Sequence, residues 1–222
     1  MFPKTRVAAP RPRALIVREG WPFVLLGAGL TLTAASLLAP WVAAVLLVLT
    51  AFTAWFFRNP EREIPPGDKV LVAPADGRVV AAGEAEDPRY GAGPALRVGI
   101  FMNVFDVHVN RIPYPGRVVD IQYRPGRFLS ANRDKASREN EQNAVLLESP
   151  EGHRIMVVQI AGLVARRIAC WVRKGEMLDR GQRFGLIRFG SRVDVYLPRE
   201  ARLRVRTGQR VRAGETVLGE MP

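Results

Sequence analysis

"KVLVAPADGRVVAAG", residues 69–83, decides how this chain is read. Two short runs rich in valine and alanine flank a Pro-Ala-Asp-Gly turn signal, which is the pattern of strand, turn and strand rather than of a helix. The same texture continues through "ALRVGIFMNVFDVHVNRI" (95–112) and "GRVVDIQY" (116–123). "NAVLLE" (143–148) and "HRIMVVQI" (153–160), joined by "SPEG", read as a hairpin. No long stretch after residue 58 carries the 3.6-residue apolar period of an amphipathic helix. The region from 58 onward is therefore expected to be mainly β. One polar segment, "FLSANRDKASRENEQ" (128–142), is left as a short helix or an ordered loop.

An internal echo refines the architecture. "GRVVAAGE" (77–84) and "GQRVRAGE" (208–215) agree at Gly, Val, Ala, Gly and Glu. Each reads as a strand running into a glycine-dependent turn, which suits a flattened sandwich or barrel built from similar halves. The pattern is similar to the hammerhead turn of biotinyl and lipoyl domains, so the expected fold is a barrel-sandwich hybrid-like β domain with an internal pseudo-repeat. Neither copy offers the hairpin-tip lysine that would carry a cofactor in such a domain.

Upstream of this domain the chain is of another kind. Trp21 to Phe57 contains no charged side chain. As a single helix it would overshoot a bilayer core of about 30 Å, whereas two helices of roughly 18 residues would each rise about 27 Å. Pro40 falls where a turn between them belongs. Lys4, Arg6, Arg11, Arg13 and Arg18 precede the segment, and Arg58 and Arg62 follow it. Positive charge at both ends favours a transmembrane helical hairpin with both flanks in the cytoplasm. The expected organisation is a basic cytoplasmic N-terminus (1–20), a hairpin (21–57) and a catalytic domain (58–222) on the cytoplasmic face of the cell membrane. A cleaved signal peptide would have a much shorter apolar stretch. A single tilted span, placing the domain on the opposite side, stays open.

With 222 residues, 48% of them hydrophobic, the chain has material for one substantial core beside the membrane segment. The formal net charge is +12. Its arginines are spread along the chain, with no basic-aromatic motif of an RNA binder, so attraction to anionic headgroups explains the charge better than nucleic acid does. Cys170 is the single cysteine, which excludes an internal disulfide or a cysteine metal site and fits a reducing compartment.

The candidates for chemistry are few. The histidines are His108, in "FDVHVNRIP", and His153, beside the "SPEG" turn and read as a solvated hairpin residue. No H-x-H or H-E-x-x-H spacing exists, so no metal site is expected. Asp76 lies in "PADG" and Ser191 in "RFGSRVDVYLP" (188–198). Each taken singly suits a turn or a structural role. Together they make a Ser/His/Asp set, which need only converge in space.

These residues also lie in five ordered motifs. "FFRNPERE" after the membrane segment, "PADGRV", "FMNVFDVHVNRIP", "FLSANRDKASRENE" and a Gly-Ser near the C-terminus closely resemble the short-form phosphatidylserine decarboxylases, from about residue 56 to the end. The resemblance implies that the Gly190–Ser191 bond is cut by the protein itself. Ser191 would become a covalent pyruvoyl group, the sole cofactor, at the head of an α chain of residues 191–222, with residues 1–190 as the β chain. It also implies that phosphatidylserine in the membrane is the substrate: the pyruvoyl ketone condenses with its amine and accepts electrons as carbon dioxide leaves, giving phosphatidylethanolamine.

Within that resemblance His108 is the base that activates Ser191, and Asp76 orients the imidazole. Gly190, lacking Cβ, leaves its carbonyl open to attack and can take a backbone conformation other residues resist. Longer members carry a second histidine three residues after the first, where this chain has Arg111, so His108 serves both cleavage and decarboxylation or shares them with Arg111 or a water. Arg166, Arg167 and Arg173 form a local cluster that could meet a phosphate or simply face solvent. Assembly into a homo-oligomer and the choice between diacyl and ether-linked serine lipids are left open. Two other classes fit the same residues: a membrane-tethered β-sandwich that binds or scaffolds, and a Ser/His/Asp hydrolase. Self-cleavage separates both from the decarboxylase.

Overall fold

The computed structural model describes residues 14–37, 39–91, 93–126, 139–162, 167–188 and 190–222. Lys4, Arg6, Arg11, Arg13, Arg166 and all but the end of the 128–142 segment lie outside the described residues. The chain divides into a helical unit ending at Glu61 and a β unit, Arg62–Pro222.

The helical unit has two helices, α1 (Trp21–Leu37) and α2 (Pro40–Phe56). Pro40 is the first residue of α2 rather than part of the turn, a position where its fixed φ and missing N–H carry no penalty. The helices run antiparallel, with Gly27 against Thr50 and Gly20 against Phe57. Thr31, Thr33, Ser36, Thr50 and Thr53 each donate their hydroxyl to the carbonyl four residues earlier. The polar atoms of an apolar helix are thereby satisfied within it, as a bilayer requires. Arg58 covers the Trp55 ring at 3.7 Å and donates to the Trp55 carbonyl. By length and composition Arg18–Leu37 could cross a membrane, and α2 is a shorter apolar helix.

The β unit is all antiparallel. In chain order its strands are β1 (Val70–Val72), β2 (Gly77–Ala85), β3 (Ala95–Met102), β4 (Val109–Arg111), β5 (Gly116–Arg124), β6 (Gln142–Glu148) and β7 (Arg154–Ile160). They continue with β8 (Ile168–Cys170), β9 (Met177–Leu178), β10 (Arg183–Ile187), β11 (Ser191–Leu197), β12 (Arg202–Leu203), β13 (Arg210–Val211) and β14 (Val217–Glu220). Eight strands form one curled sheet in the order β13-β2-β3-β11-β7-β6-β5-β9. Two three-stranded sheets, β1-β14-β12 and β4-β10-β8, complete the unit. The mainly β fold expected from the period-2 runs holds, and β6 and β7 form the anticipated hairpin, with Glu148 opposite Arg154.

The two copies of the repeat meet each other. Arg210 pairs with Arg78 and Val211 with Gly77. Their turns are not equivalent, however: the first copy continues as strand through Gly83 to Ala85, while the second ends in a turn in which Gly214 has φ +79°. Gly83 also has a positive φ, +150°, but lies within the strand, so both copies use a glycine there and only the second turns at it.

β11 is central and buried on both faces. Val193, Val195 and Leu197 enter the main core with Ile100, Val145, Val157 and Phe184. On the opposite face Tyr196 packs with Ala144, Met156, Val158 and Ile160. Strand alternation places Arg192 and Asp194 on that second face. They form an ion pair at 2.5 Å, each side chain only 1% exposed. The pair fits because position 99 on the neighbouring strand is glycine: a Cβ there would lie 2.6 Å from an Arg192 guanidinium nitrogen and 2.8 Å from Asp194 Oδ1. Gly99→Ala is expected to lower the denaturant-measured stability by about 1–3 kcal/mol, as overpacking against a fixed neighbour does.

Candidate functional site

The register gathers the candidate residues at the Met102 end of β3. Met102 is opposite Ser191 on β11, and Phe101 is opposite both Arg192 on β11 and Arg78 on β2. Ser191 therefore opens one flanking strand, and Asp76 immediately precedes the other. The loop leaving β3, residues 103–107, leads directly to His108. His153 sits in the turn at the far end of β7 from Ile160, the residue opposite Arg192, and takes no part here.

Ser191 is fully buried, and its Oγ has no hydrogen-bond partner among the described residues. A hydroxyl held in that way forgoes its bonds to water, so it calls for a reason beyond packing. The preceding Gly190 has φ +61°, the left-handed conformation that glycine alone enters without penalty. A Cβ at 190 would meet nothing within 4 Å, so the glycine is required by its backbone angle and not by crowding. The Gly190–Ser191 bond lies in the connection from β10, in a small sheet, to β11, in the large one.

The imidazole of His108 is fully buried. Its Nδ1 lies 2.9 Å from the backbone carbonyl of Asp106. Because a carbonyl only accepts, this contact places the proton on Nδ1, and in the neutral ring Nε2 is then the basic nitrogen. Nδ1 is thus held by the Asp106 main chain. Asp106 in turn receives the Asn103 N–H on Oδ2 at 2.9 Å and an Arg210 guanidinium on Oδ1 at 3.3 Å. Downstream, Asn110 is buried, accepts from Gln159 at 2.9 Å and donates towards Met102 Sδ at 3.7 Å. Asn143 donates to Gln159 at 3.2 Å, extending this buried polar chain behind the site.

Asp76 has different partners. One carboxylate oxygen accepts from the Arg62 guanidinium at 2.8 Å and the other from the Ala213 N–H at 2.8 Å. Arg62 also bonds Glu215 at 3.2 Å. Burial pushes the Asp76 carboxyl above the usual carboxylate range, and the nearby Asp106 charge adds to the rise, while the Ala213 N–H and Arg62 oppose it. Removing Arg62 takes away one of the opposing influences, so the carboxyl should rise further. Since a raised folded-state value makes the ionised form costly, the part of the Arg62→Ala deficit that acts through Asp76 should vanish below the ordinary carboxylate value of 3.8, so the deficit should be smaller at pH 3.5 than at pH 8. Melting curves at the two pH values check this; an equal deficit at both would mean that Arg62 does not bear on the ionisation of Asp76.

Arg111 donates to the Gly181 carbonyl at 2.8 Å, and its own N–H donates to the Pro74 carbonyl at 2.8 Å, which ties the "PADG" turn to β4. Strand alternation sets Arg111 on the other face of β4 from Asn110. From the "RENE" motif, Asn140 is buried and donates to the Ala161 carbonyl at 2.7 Å, next to Ile160, the residue opposite Arg192. Arg62, Asp106 and Asn140 were not singled out from the sequence as site residues. The signal available for each was membership of a family-like motif, "NPERE", "FDVHVN" or "RENE".

Known proteins resemble this chain over most of its length. The sequence profile described as phosphatidylserine decarboxylase matches residues 49–219. A phosphatidylserine decarboxylase proenzyme of Syntrophus aciditrophicus is 52% identical over 207 residues, covering 93% of this chain and 97% of that protein. Proteins of the same name from Burkholderia pseudomallei and Symbiobacterium thermophilum are 50% and 51% identical, each over 211 residues, 95% of this chain and 97% of theirs.

Proposed function

We propose, from the premise that this chain belongs to the phosphatidylserine decarboxylase family, that it is made as a proenzyme and matures by cutting its own Gly190–Ser191 bond. The observation that carries the reading is Ser191: a buried hydroxyl without a hydrogen-bond partner among the described residues, directly after a glycine in the left-handed conformation.

The steps follow from the chain's own residues. Ser191 Oγ attacks the Gly190 carbonyl carbon, His108 Nε2 takes the hydroxyl proton, and the Gly190–Ser191 amide is exchanged for an ester as the amine of 191 is released and protonated. A base then removes the Cα proton of 191. The Cβ–O bond breaks, residues 1–190 leave with a C-terminal carboxylate, and residue 191 becomes dehydroalanine, which water converts to a pyruvoyl group and ammonia. Asp76, held by Arg62 and the Ala213 N–H, supports the positive charge that develops on the imidazole. The pyruvoyl group supplies an electron sink for decarboxylation of an amino acid headgroup.

The site suits that group. Residue 191 pairs with Met102 on β3, and the next residue, Arg192, pairs on both sides, with Phe101 and Ile160, so the new terminus stays beside the sheet after the chain is cut. The β chain 1–190 contributes His108 and Asp76, and the α chain 191–222 contributes the reactive terminus. α1 and α2 form the membrane anchor as a hairpin, with the β unit on the cytoplasmic face, where phosphatidylserine in the cell membrane is reached without leaving the bilayer.

A denaturing mass spectrum of the purified protein tests the reading. Two chains are expected, the smaller starting with pyruvoyl in place of serine. A single intact chain after prolonged incubation, with no decarboxylation of phosphatidylserine, would return the site to a hydrolase or a tethered binding module.

A further inference from the structure

The loop that carries His108 also presents apolar side chains to solvent. Val104 is 36% exposed and Phe105 64%, in contrast to the neighbouring Met102 and Val107, which are buried. A large exposed aromatic is unfavourable in water, and the loop does nothing to hide it. The turn is instead braced in its outward form. The Asn103 N–H donates to Asp106 Oδ2 at 2.9 Å, the Phe105 N–H to Asn103 Oδ1 at 2.8 Å, and the Asp106 N–H to the Asn103 carbonyl at 3.1 Å.

Exposed guanidinium groups lie nearby, Arg210 paired with Asp106 and Arg212 with Glu215. Arg210 reaches Asp106 on the loop and stands opposite Arg78 on the paired strand, whose own partner on β3 is Phe101. Arg78, Arg210 and Arg212 are exposed. An apolar tip with guanidinium groups beside it matches the boundary between anionic headgroups and acyl chains, where aromatic rings settle and positive charge is attracted.

We infer that Val104 and Phe105 form an interfacial wedge that enters the surface of an anionic bilayer beside the active site. This rests on the reading of the substrate as a membrane lipid. The wedge and the imidazole share one short loop, since the Asp106 carbonyl that follows Phe105 holds His108 Nδ1. Insertion therefore brings headgroups to the residues that act on them. The occupant is lipid: the tip offers two exposed apolar side chains and a basic rim.

The test uses the full-length protein reconstituted into phosphatidylcholine vesicles containing phosphatidylglycerol. In a Cys170→Ala background, a nitroxide is attached at Phe105→Cys and, as a water-exposed reference, at Arg206→Cys. The label at 105 is expected to be accessible to oxygen and shielded from a water-soluble nickel chelate, and the label at 206 the reverse. Equal nickel accessibility at the two positions overturns the wedge. A label-free variant guards against insertion driven by the nitroxide. Phe105→Ser should raise the KM for phosphatidylserine presented in vesicles at least about tenfold, the loss of one buried aromatic side chain. Its kcat/KM on a short-chain monomeric phosphatidylserine should stay at the wild-type level, and so should the extent of self-cleavage. An equal loss on both substrates, or none on vesicles, also overturns it. The depth measurement needs no turnover, so failure of the decarboxylase reading would show separately, as absence of product from wild type.

Discussion

Ser191→Ala protein is expected to persist as one chain of 222 residues and to release no carbon dioxide from phosphatidylserine. The substitution removes the only atom that can form the ester with Gly190, so cleavage is lost outright rather than slowed. Misfolding can be told apart from this outcome. The Oγ of Ser191 makes no hydrogen bond among the described residues, and a methyl group occupies the same buried place without leaving a donor unsatisfied. Stability should therefore stay within about 1 kcal/mol of the uncut wild-type chain. A Ser191→Ala sample that still yields a fragment of residues 191–222 would refute the assignment. A hydrolase built on the same residues would lose ester turnover in this variant, but its wild type would never have been cut.

His108→Gln should slow self-cleavage by about 10²- to 10⁴-fold, the usual contribution of a positioned general base. The structure specifies why the loss should be large. The Asp106 carbonyl commits the Nδ1 proton, which leaves Nε2 as the basic atom, and a glutamine amide cannot take a proton there. The measurement is the rate at which the 191–222 chain accumulates after synthesis. The material that does mature then answers a second question. If its turnover per cleaved chain equals wild type, His108 serves cleavage alone; if turnover falls as well, one histidine does both tasks. A wild-type rate of accumulation would remove His108 from the mechanism.

Much of this was legible in the amino acids. The period-2 alternation of residues such as 193, 195 and 197 requires a sheet, because each of those side chains needs an apolar face on the same side of an extended chain. The uncharged run Trp21–Phe57 is equally explicit about helices, since an apolar environment requires a backbone that satisfies its own hydrogen bonds. Gly190 before Ser191 and His108 within "FDVHVN" stand out in the sequence because the chemistry proposed for them depends on residue identity. The repeat at 77–84 and 208–215 was legible as well, although the pairing of its two copies as neighbouring strands was not.

Other features depended on groups that every residue possesses or on positions far apart in the chain. The family resemblance implies that His108 is oriented by Asp76. Its hydrogen bonds go to Arg62 and to the Ala213 N–H, 137 positions away, while the imidazole is held by a main-chain carbonyl. No side-chain pattern announces a carbonyl, because the backbone is the same everywhere. The Arg192–Asp194 pair is similar: in sequence its residues look like the solvated face of a strand, and only the burial of β11 on both faces turns them into a buried ion pair that requires glycine at 99. Composition and alternation determined which segments are strands and helices, since those depend on local chemistry. Register and sheet order, which arise from long-range pairing, decided which strands and loops lie next to Ser191.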